Sequence, residues 1–301
     1  MPSLQGKLSV ERMCTLAQIS RAGYYRSLQR TQPGVEETAV RAAIQEVAVE
    51  HHRRYGYRRI TAALRHRGMI VNRKRVLRMM QEDNLLAIRT RRFVATTDSG
   101  HPFEVFLNLA KRMELTAPDQ LWVADLTYIR LQEDFVYMAV VLDAFSRRVV
   151  GWALNRSLRS TVAVDALQQA IDQRKPRPGL VHHSDRGVQY ASGAYTELLR
   201  KLGATCSMSR VGNPYDNARC ESFLKTLKHE EIYCREYRDL DDLRLHSSVF
   251  IDEYYNRHRL HSALGYVSPD AFEQATKQCT GPAARMSFIR HEEIYPNDLG
   301  V

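Results

Sequence analysis

No C-x-x-C pair occurs in the 301 residues, and the five cysteines, Cys14, Cys206, Cys220, Cys234 and Cys279, are scattered. That spacing excludes a disulfide framework and a zinc knuckle, and it fits a reducing cytoplasm. Long apolar runs are missing too. The longest, Phe135 to Leu142 (FVYMAVVL), falls well below the ~20 residues that span a bilayer. The opening MPSLQGKLSV has no apolar stretch after its charge, so no secretory leader is expected. Internal repeats, low-complexity segments and a sustained heptad pattern are absent.

Acidic residues are scarce in one region only. Residues 1–118 hold 21 Lys/Arg against 10 Asp/Glu, whereas residues 119–301 hold 23 against 24. The net charge of +10 therefore belongs to the first part. Between His51 and Arg92, 13 basic side chains face Glu82 and Asp83 alone. A basic field confined to one region suits a polyanion, DNA or RNA above all. The alternative is a solvated helical face. With 44% hydrophobic residues the chain can fill a core in each of two domains.

The first part has helical periodicity. Ser9 to Arg30 reads as two short helices broken near Gln18-Ile19-Ser20, with Thr31 to Gly34 as a turn. Glu36 to His51 carries Val40, Ala43, Ile44, Val47 and Ala48 at the spacing of one buried face. Tyr57 to Arg67 follows, with Gly68 as its stop. Asn72 then caps Arg73 to Glu82. Two helices joined by a short turn, the second strongly basic, form the pattern of a helix-turn-helix. Arg73, Lys74, Arg75 and Arg78 on the second helix, with Arg58 and Arg59 on the first, are the candidate DNA contacts. A small structural bundle with a charged surface is the alternative. Residues 93–118 read as a linker punctuated by Gly100, Pro102 and Pro118.

The period then changes. Leu121 to Ile129, Phe135 to Leu142 and Val149 to Leu154 predict three strands, antiparallel because the turns between them are short. Thr161 to Gln173 is helical, Leu180 to Ser184 a strand, Tyr195 to Leu202 a helix and Ala204 to Met208 a strand. A long helix is expected around Leu240 to Tyr255. Three hairpin strands followed by alternating helices and strands make a mixed α/β sheet.

Three carboxylates stand out. Asp125 sits inside a strand on the same face as Val123 and Thr127, where a charge needs a partner. No basic residue lies within four positions, so that partner is distant or is a bound ion. Asp185 ends another strand in HHSDRGVQY, where Gly187 permits a sharp turn. Glu221 sits early in a helix. The gaps are 59 residues from Asp125 to Asp185 and 35 from Asp185 to Glu221. If the three converge, their repulsion calls for something positive between them. All-oxygen ligands suit Mg²⁺ or Mn²⁺, and two such ions can serve phosphoryl transfer. Taken singly, Asp185 also reads as a cap and Glu221 as a helix-dipole residue, while Asp143 and Asp216 read as turn residues. At 100° per residue, one face of the Glu221 helix can carry Asn217, Glu221, Lys225 and Lys228, offering a carboxylate to an ion and ammonium groups to phosphates.

At these residues the sequence resembles the DDE transposases of bacterial insertion sequences, of the downstream-frame (OrfB) type, whose core is similar to retroviral integrases. The motifs are WVADLTYI around Asp125, VLDAFSRRVVGWAL, HSDRGVQY around Asp185, NPYDNARCESFLKTLKHE around Glu221 and YNRHRLHSALGYVSPDAF. The segment YGYRRITAALRHRGMIVNRKRVLRMMQEDNL at 55–85 is similar to the helical region that precedes the core in that family. The resemblance covers roughly residues 10 to 275. It implies an α/β ribonuclease-H-like catalytic core, a mixed sheet with flanking helices, preceded by an all-α helix-turn-helix region. The divisions expected are 1–34, 35–92, the linker 93–118, the core 119–275 and a tail 276–301. Asp125, Asp185 and Glu221 are then the catalytic residues and the ligands of Mg²⁺ or Mn²⁺, with Lys228 on transposon-end DNA. The chemistry implied is metal-dependent strand cleavage that frees a 3′-OH, which then attacks a second strand in line. Nothing matches the paired His and paired Cys of the integrase zinc domain, so no zinc is expected. The partners implied are DNA ends and target, further copies of the chain, and an upstream-frame segment carrying its own coiled coil. The location implied is the bacterial cytoplasm, at the nucleoid.

Overall fold

The computed structural model describes residues 9–28, 35–86, 106–110, 113–131, 135–157, 161–209 and 217–278. The expected turn at 31–34, residues 93–105 and 111–112 of the expected linker, Asp216, and the tail beyond 278 lie outside the described residues. The chain divides into two units, residues 1–87 and 88–301.

The first unit is helical. Helix α1 (Val10–Leu16) starts at Ser9, whose hydroxyl accepts from the Arg12 N–H, and α2 (Arg21–Leu28) follows the expected break. Helix α3 (Val35–Glu50) buries Val40, Ile44, Val47 and Ala48. Its face packs against Ile60 and Leu64 of α4 (Tyr57–His66) and Val76, Met79 and Met80 of α5 (Arg73–Glu82). Gly68 takes φ +80° after α4, a left-handed value that favours glycine. Asn72 Oδ1 accepts the Lys74 N–H at 2.8 Å and caps α5. The outer faces are laced with ions: Arg41 donates to Glu37, Glu82 and Asp83, and Arg67 to Glu46 and Glu50.

The second unit is built on five strands in the order β3-β2-β1-β4-β5. These are β1 (Leu121–Arg130), β2 (Phe135–Asp143), β3 (Val149–Asn155), β4 (Val181–Ser184) and β5 (Thr205–Met208). The first three run antiparallel, and β4 and β5 lie parallel to β1 and to each other. Alternation along β1 splits its side chains between two cores. Val123 and Ile129 join α8 (Ala218–Glu230) and α9 (Leu240–Ser248), while Trp122 and Ala124 join α6 (Thr161–Arg174) and α7 (Gly193–Leu202). With helices on both faces, this is the ribonuclease-H-like arrangement.

The long helix expected to Tyr255 is α-helical only to Ser248 and widens into a π-helix over Val249–Tyr255. Periodicity cannot register that change, because both forms keep Phe250, Ile251 and Tyr255 inward. The C-terminal α10 (Pro269–Gln278) is held by a buried network. Arg174 donates twice to Asp119 at 2.9 Å and once to Glu273 at 2.7 Å, and Glu273 also accepts from Ser146. Asp143, expected as a turn residue, takes the N–H groups of Asp119, Phe145 and Ser146. Among the described residues no helix is long and apolar enough to cross a membrane.

Candidate active site

The strand β4 pairs with β1 only at Leu121, Trp122 and Val123. Among the described residues no strand pairs with that edge of β1 beyond Val123, and the start of α8 meets it at Ala124 instead. Asp125 lies just beyond that pairing on β1, half-buried, on the face shared with Val123. Its Oδ1 accepts the Leu126 N–H at 2.9 Å. Burial first, and then the charge of Asp185, push its carboxyl up to about 8, with Glu221 adding to the rise. The Leu126 N–H and the ammonium of Lys228 oppose it. Lys228 is a distant positive charge that local sequence did not supply, and it offsets only part of the rise.

Asp185 follows the last residue of β4. Its Oδ1 accepts the Gly187 N–H at 2.8 Å, which closes a tight turn. Gly187 is needed here for space, not for backbone angle, since its φ is not among the positive values. A Cβ at that position would stand 2.9 Å from Asp185 Oδ1 and 3.1 Å from Gln189 Oε1. Arg186 reaches across to the Ser209 carbonyl at 2.9 Å and ties this turn to the end of β5.

Glu221 occupies the first turn of α8 and is exposed. Its carboxyl is raised, by burial first and by Asp185 second. Asp125, Asp185 and Glu221 therefore act on one another electrostatically from β1, the end of β4 and α8. Among the described residues no three His, Cys, Asp or Glu side chains stand close enough to hold a metal ion as they are.

The expected helix face is only partly realised. Lys225 is exposed. Lys228 is half-buried, with Nζ 5.0 Å from the centre of the Tyr128 ring. Asn217 precedes the helix at φ −118°, so the 100° spacing does not carry it to the Glu221 side. It is buried instead, and its Nδ2 donates to the Ala124 carbonyl at 2.9 Å. The far end of α8 is held by buried Arg259, which donates to both oxygens of Glu230 at 2.8 and 2.6 Å.

Sequence reasoning did not single out Tyr190. It is buried, its hydroxyl has no hydrogen-bond partner among the described residues, and it feels the charges of Asp125 and Asp185. Its membership of HSDRGVQY was the available signal. His183 of that motif and His182 before it are core residues. His183 is bonded to Ser207 and Ser209, and His182, held down to about 3 by burial, meets the Tyr195 hydroxyl at 2.9 Å.

In the helical unit, Arg73 and Lys74 are exposed without an ion-pair partner among the described residues. Arg75 pairs with Glu36 at 3.1 Å and Arg78 with Glu82 at 3.7 Å. Arg58 lies against the Tyr57 ring and Arg59 against that of Tyr55, each 5.7 Å from the centroid.

Two integrase core domain models match residues 116–214 and 202–269, and an HTH-like domain model matches residues 35–93. The 31 kDa uncharacterized protein of insertion element IS600 from Shigella sonnei is 38% identical over 270 residues, covering 88% of this chain and 99% of its own. The transposase for insertion sequence element IS904 from Lactococcus lactis is 39% identical, covering 80% and 95%. Transposase InsF for insertion sequence IS3A from Escherichia coli is 34% identical, covering 89% and 95%. Among solved structures, the magnesium complex of the HTLV-2 integrase catalytic core domain aligns at TM-score 0.41 and 16% identity, covering 52% of this chain and 97% of that one.

Proposed function

Since the chain belongs to the insertion-sequence transposases with an integrase core, and so serves DNA transposition as a polynucleotidyl transferase, we propose that Asp125, Asp185 and Glu221 are its catalytic residues for strand cleavage and strand transfer at the element's ends. The observation that carries this reading is the mutual electrostatic pressure among the three carboxylates, which the fold draws from separate elements.

The donor chemistry fits a divalent cation. All three groups offer hard oxygens, and burial with like charge leaves Asp125 in want of a positive partner. Asp125, Asp185 and Glu221 would hold Mg²⁺ or Mn²⁺, in a pair of ions on this reading. When bound, such ions supply Lewis-acid activation of the attacking and leaving oxygens. The chain's own part is orientation. Asp125 is fixed by its strand and the Leu126 N–H, and Asp185 by the Gly187 turn. Glu221, exposed on its helix, is the group with room to adjust and close the set. Lys225 and Lys228 contribute positive charge for phosphates on the same helix. Asn217 is not assigned to DNA, because its amide is engaged with Ala124.

Residues 35–92 serve as the DNA-binding region on this reading and 119–275 as the catalytic core. Arg73 and Lys74 are the foremost phosphate contacts, with Arg58, Arg59, Arg75 and Arg78 around them. Pairing of two ends by further copies, help from an upstream-frame partner, and work at the bacterial nucleoid belong to the same proposal.

The test is a duplex carrying one end of the element, incubated with Mg²⁺ or Mn²⁺ and either wild type or Glu221→Gln. New 3′ ends and joined strands that disappear in the variant are expected. Full activity of Glu221→Gln would remove the third carboxylate from the set. Cleavage without joining would make the enzyme a nuclease.

A further inference from the structure

Beside the carboxylates runs a strip of side chains that the catalytic reading leaves unused. It begins at the end of the β1–β2 hairpin, where Arg130 stands opposite Phe135. Phe135 is 51% exposed, and the Arg130 guanidinium lies 5.9 Å from its ring centre. The ring of Tyr128 meets Phe135 edge-on at 5.9 Å and carries Lys228 at 5.0 Å. Tyr233, just past α8 and five residues after Lys228, is 43% exposed. His229 closes the strip with its ring edge-on to Tyr233 at 5.7 Å.

Arg130, Phe135, Tyr128 and Lys228 thus form a chain of cation–ring and ring–ring contacts that joins the β1–β2 hairpin to α8, where Lys228 stands seven residues past Glu221. The acids at the end of α8 do not neutralise the strip. Glu230 is bonded to Arg259, and Glu231 to Arg235 at 2.9 Å. Arg130 is held over the Phe135 ring, and the hairpin's own acids, Glu133 and Asp134, lie outside the described residues. A paired duplex would use mainly the cations, because its bases are stacked on one another and only the last pair presents a face. Half-exposed rings interleaved with cations suit a strand whose bases are free to stack while its phosphates meet positive charge.

We propose that Tyr128, Phe135 and Tyr233, with Arg130 and Lys228, form a stacking platform for unpaired nucleotides of a DNA end. The substrate class is single-stranded or frayed DNA next to the scissile phosphate. The proposal rests on the catalytic reading for its location, and not for its binding chemistry. The platform holds the bases of the strand while the backbone turns toward the carboxylates. Lys228 serves both places, which links the fit of the free bases to the reacting phosphate.

The experiment uses the full chain in EDTA, so that no cleavage intervenes. Two labelled duplexes of one sequence are compared by fluorescence anisotropy, one blunt and one with three unpaired nucleotides at its end. The second carries 2-aminopurine at an unpaired position. Wild type should prefer the unpaired end by about tenfold and quench the 2-aminopurine. The double variant Phe135→Ala/Tyr233→Ala should lose both the preference and the quenching, with blunt-duplex affinity and thermal melting unchanged. Tyr233→Trp should keep them. Equal affinity of wild type for the two ends, at whatever strength, would overturn the proposal, as would a preference undiminished in the double variant. Glu221→Gln is expected to retain the preference. Should that variant still cleave in Mg²⁺, the catalytic reading fails while the platform is judged on the binding preference alone.

Discussion

The side-chain amide of Asn217 donates to the backbone carbonyl of Ala124 at 2.9 Å, one residue beyond the last position of β1 that pairs with β4. Where the neighbouring strand stops, a side chain from the start of α8 takes over the next carbonyl. That bond sets the Glu221 helix against the strand of Asp125. Replacing Asn217 with Ala should cost about 1–2 kcal/mol of stability, because a buried carbonyl is left without its donor. Cleavage should fall by more than that loss of stability accounts for, since misplacement of about 1 Å can cost ~10²-fold. Denaturant unfolding and end cleavage measured side by side check this. Unaltered cleavage would mean that α8 is placed without the bond.

The carboxyl of Asp125, pushed up to about 8, sets a pH dependence for the metal-free protein. A carboxyl whose folded pKa exceeds its unfolded value near 4 keeps its proton only when folded. Across the interval from about 4 to 8 the folded state binds more protons, so stability falls as pH rises, by at most about 1.4 kcal/mol per unit. Thermal melts in EDTA from pH 5 to 8 should fall steadily for wild type. They should be flatter for Asp125→Asn, and higher at pH 8. Parallel curves would mean that Asp125 is already ionised at pH 5.

At Gly187 the constraint is spatial. Gly187→Ala places a methyl against Asp185 Oδ1 and Gln189 Oε1. It should cost less than about 1 kcal/mol, since both are the ends of side chains that can shift, but it should displace the Asp185 carboxylate and weaken Mn²⁺ binding as read by electron paramagnetic resonance. Gly193→Ala, in the same region, meets nothing within 4 Å and opens helix α7. It should be neutral or slightly stabilising. Similar outcomes at the two glycines would count against the turn as the device that holds Asp185.

The basic helix α5 separates its charges into unpaired and paired. Arg73→Ala/Lys74→Ala should weaken end binding and lower the salt slope by roughly 0.9 for each phosphate that is no longer neutralised. Arg75→Ala should alter the slope less, since its guanidinium already meets Glu36. Binding titrations over a range of NaCl concentrations measure both. An identical slope for wild type and Arg73→Ala/Lys74→Ala would make α5 a structural helix only.

Much of this architecture is legible in the sequence because it is periodic. The i, i+3, i+4 pattern through Val40, Ile44 and Val47 and the alternation around Asp125 mark their elements to within a residue or two of the observed ends. Gly68 and Asn72 act through local backbone chemistry, which makes them readable as a stop and a cap. The pairings that arm the site are of another kind. Asn217 meets Ala124 across 93 positions, Lys228 meets Tyr128 across 100, and Arg174 meets Glu273 across 99. No periodicity encodes such pairs, and each arises only once the sheet order brings its partners together. Asn217 marks where helical spacing ends, since it stands before the helix and not within it.

The helix of Glu221 is fastened at both ends by residues remote in sequence, to Ala124 at its start and to Arg259 past its finish. That gives the site an order of birth. The β1–β2–β3 meander is local and can form as soon as it leaves the ribosome. Asp125 is then in place while the third carboxylate still hangs on an unanchored segment. Only after Arg259 has emerged can Glu230 be clasped and α8 brought to rest. On the proposed catalytic reading, the third carboxylate is therefore the last to be fixed, once Arg259 has joined Glu230.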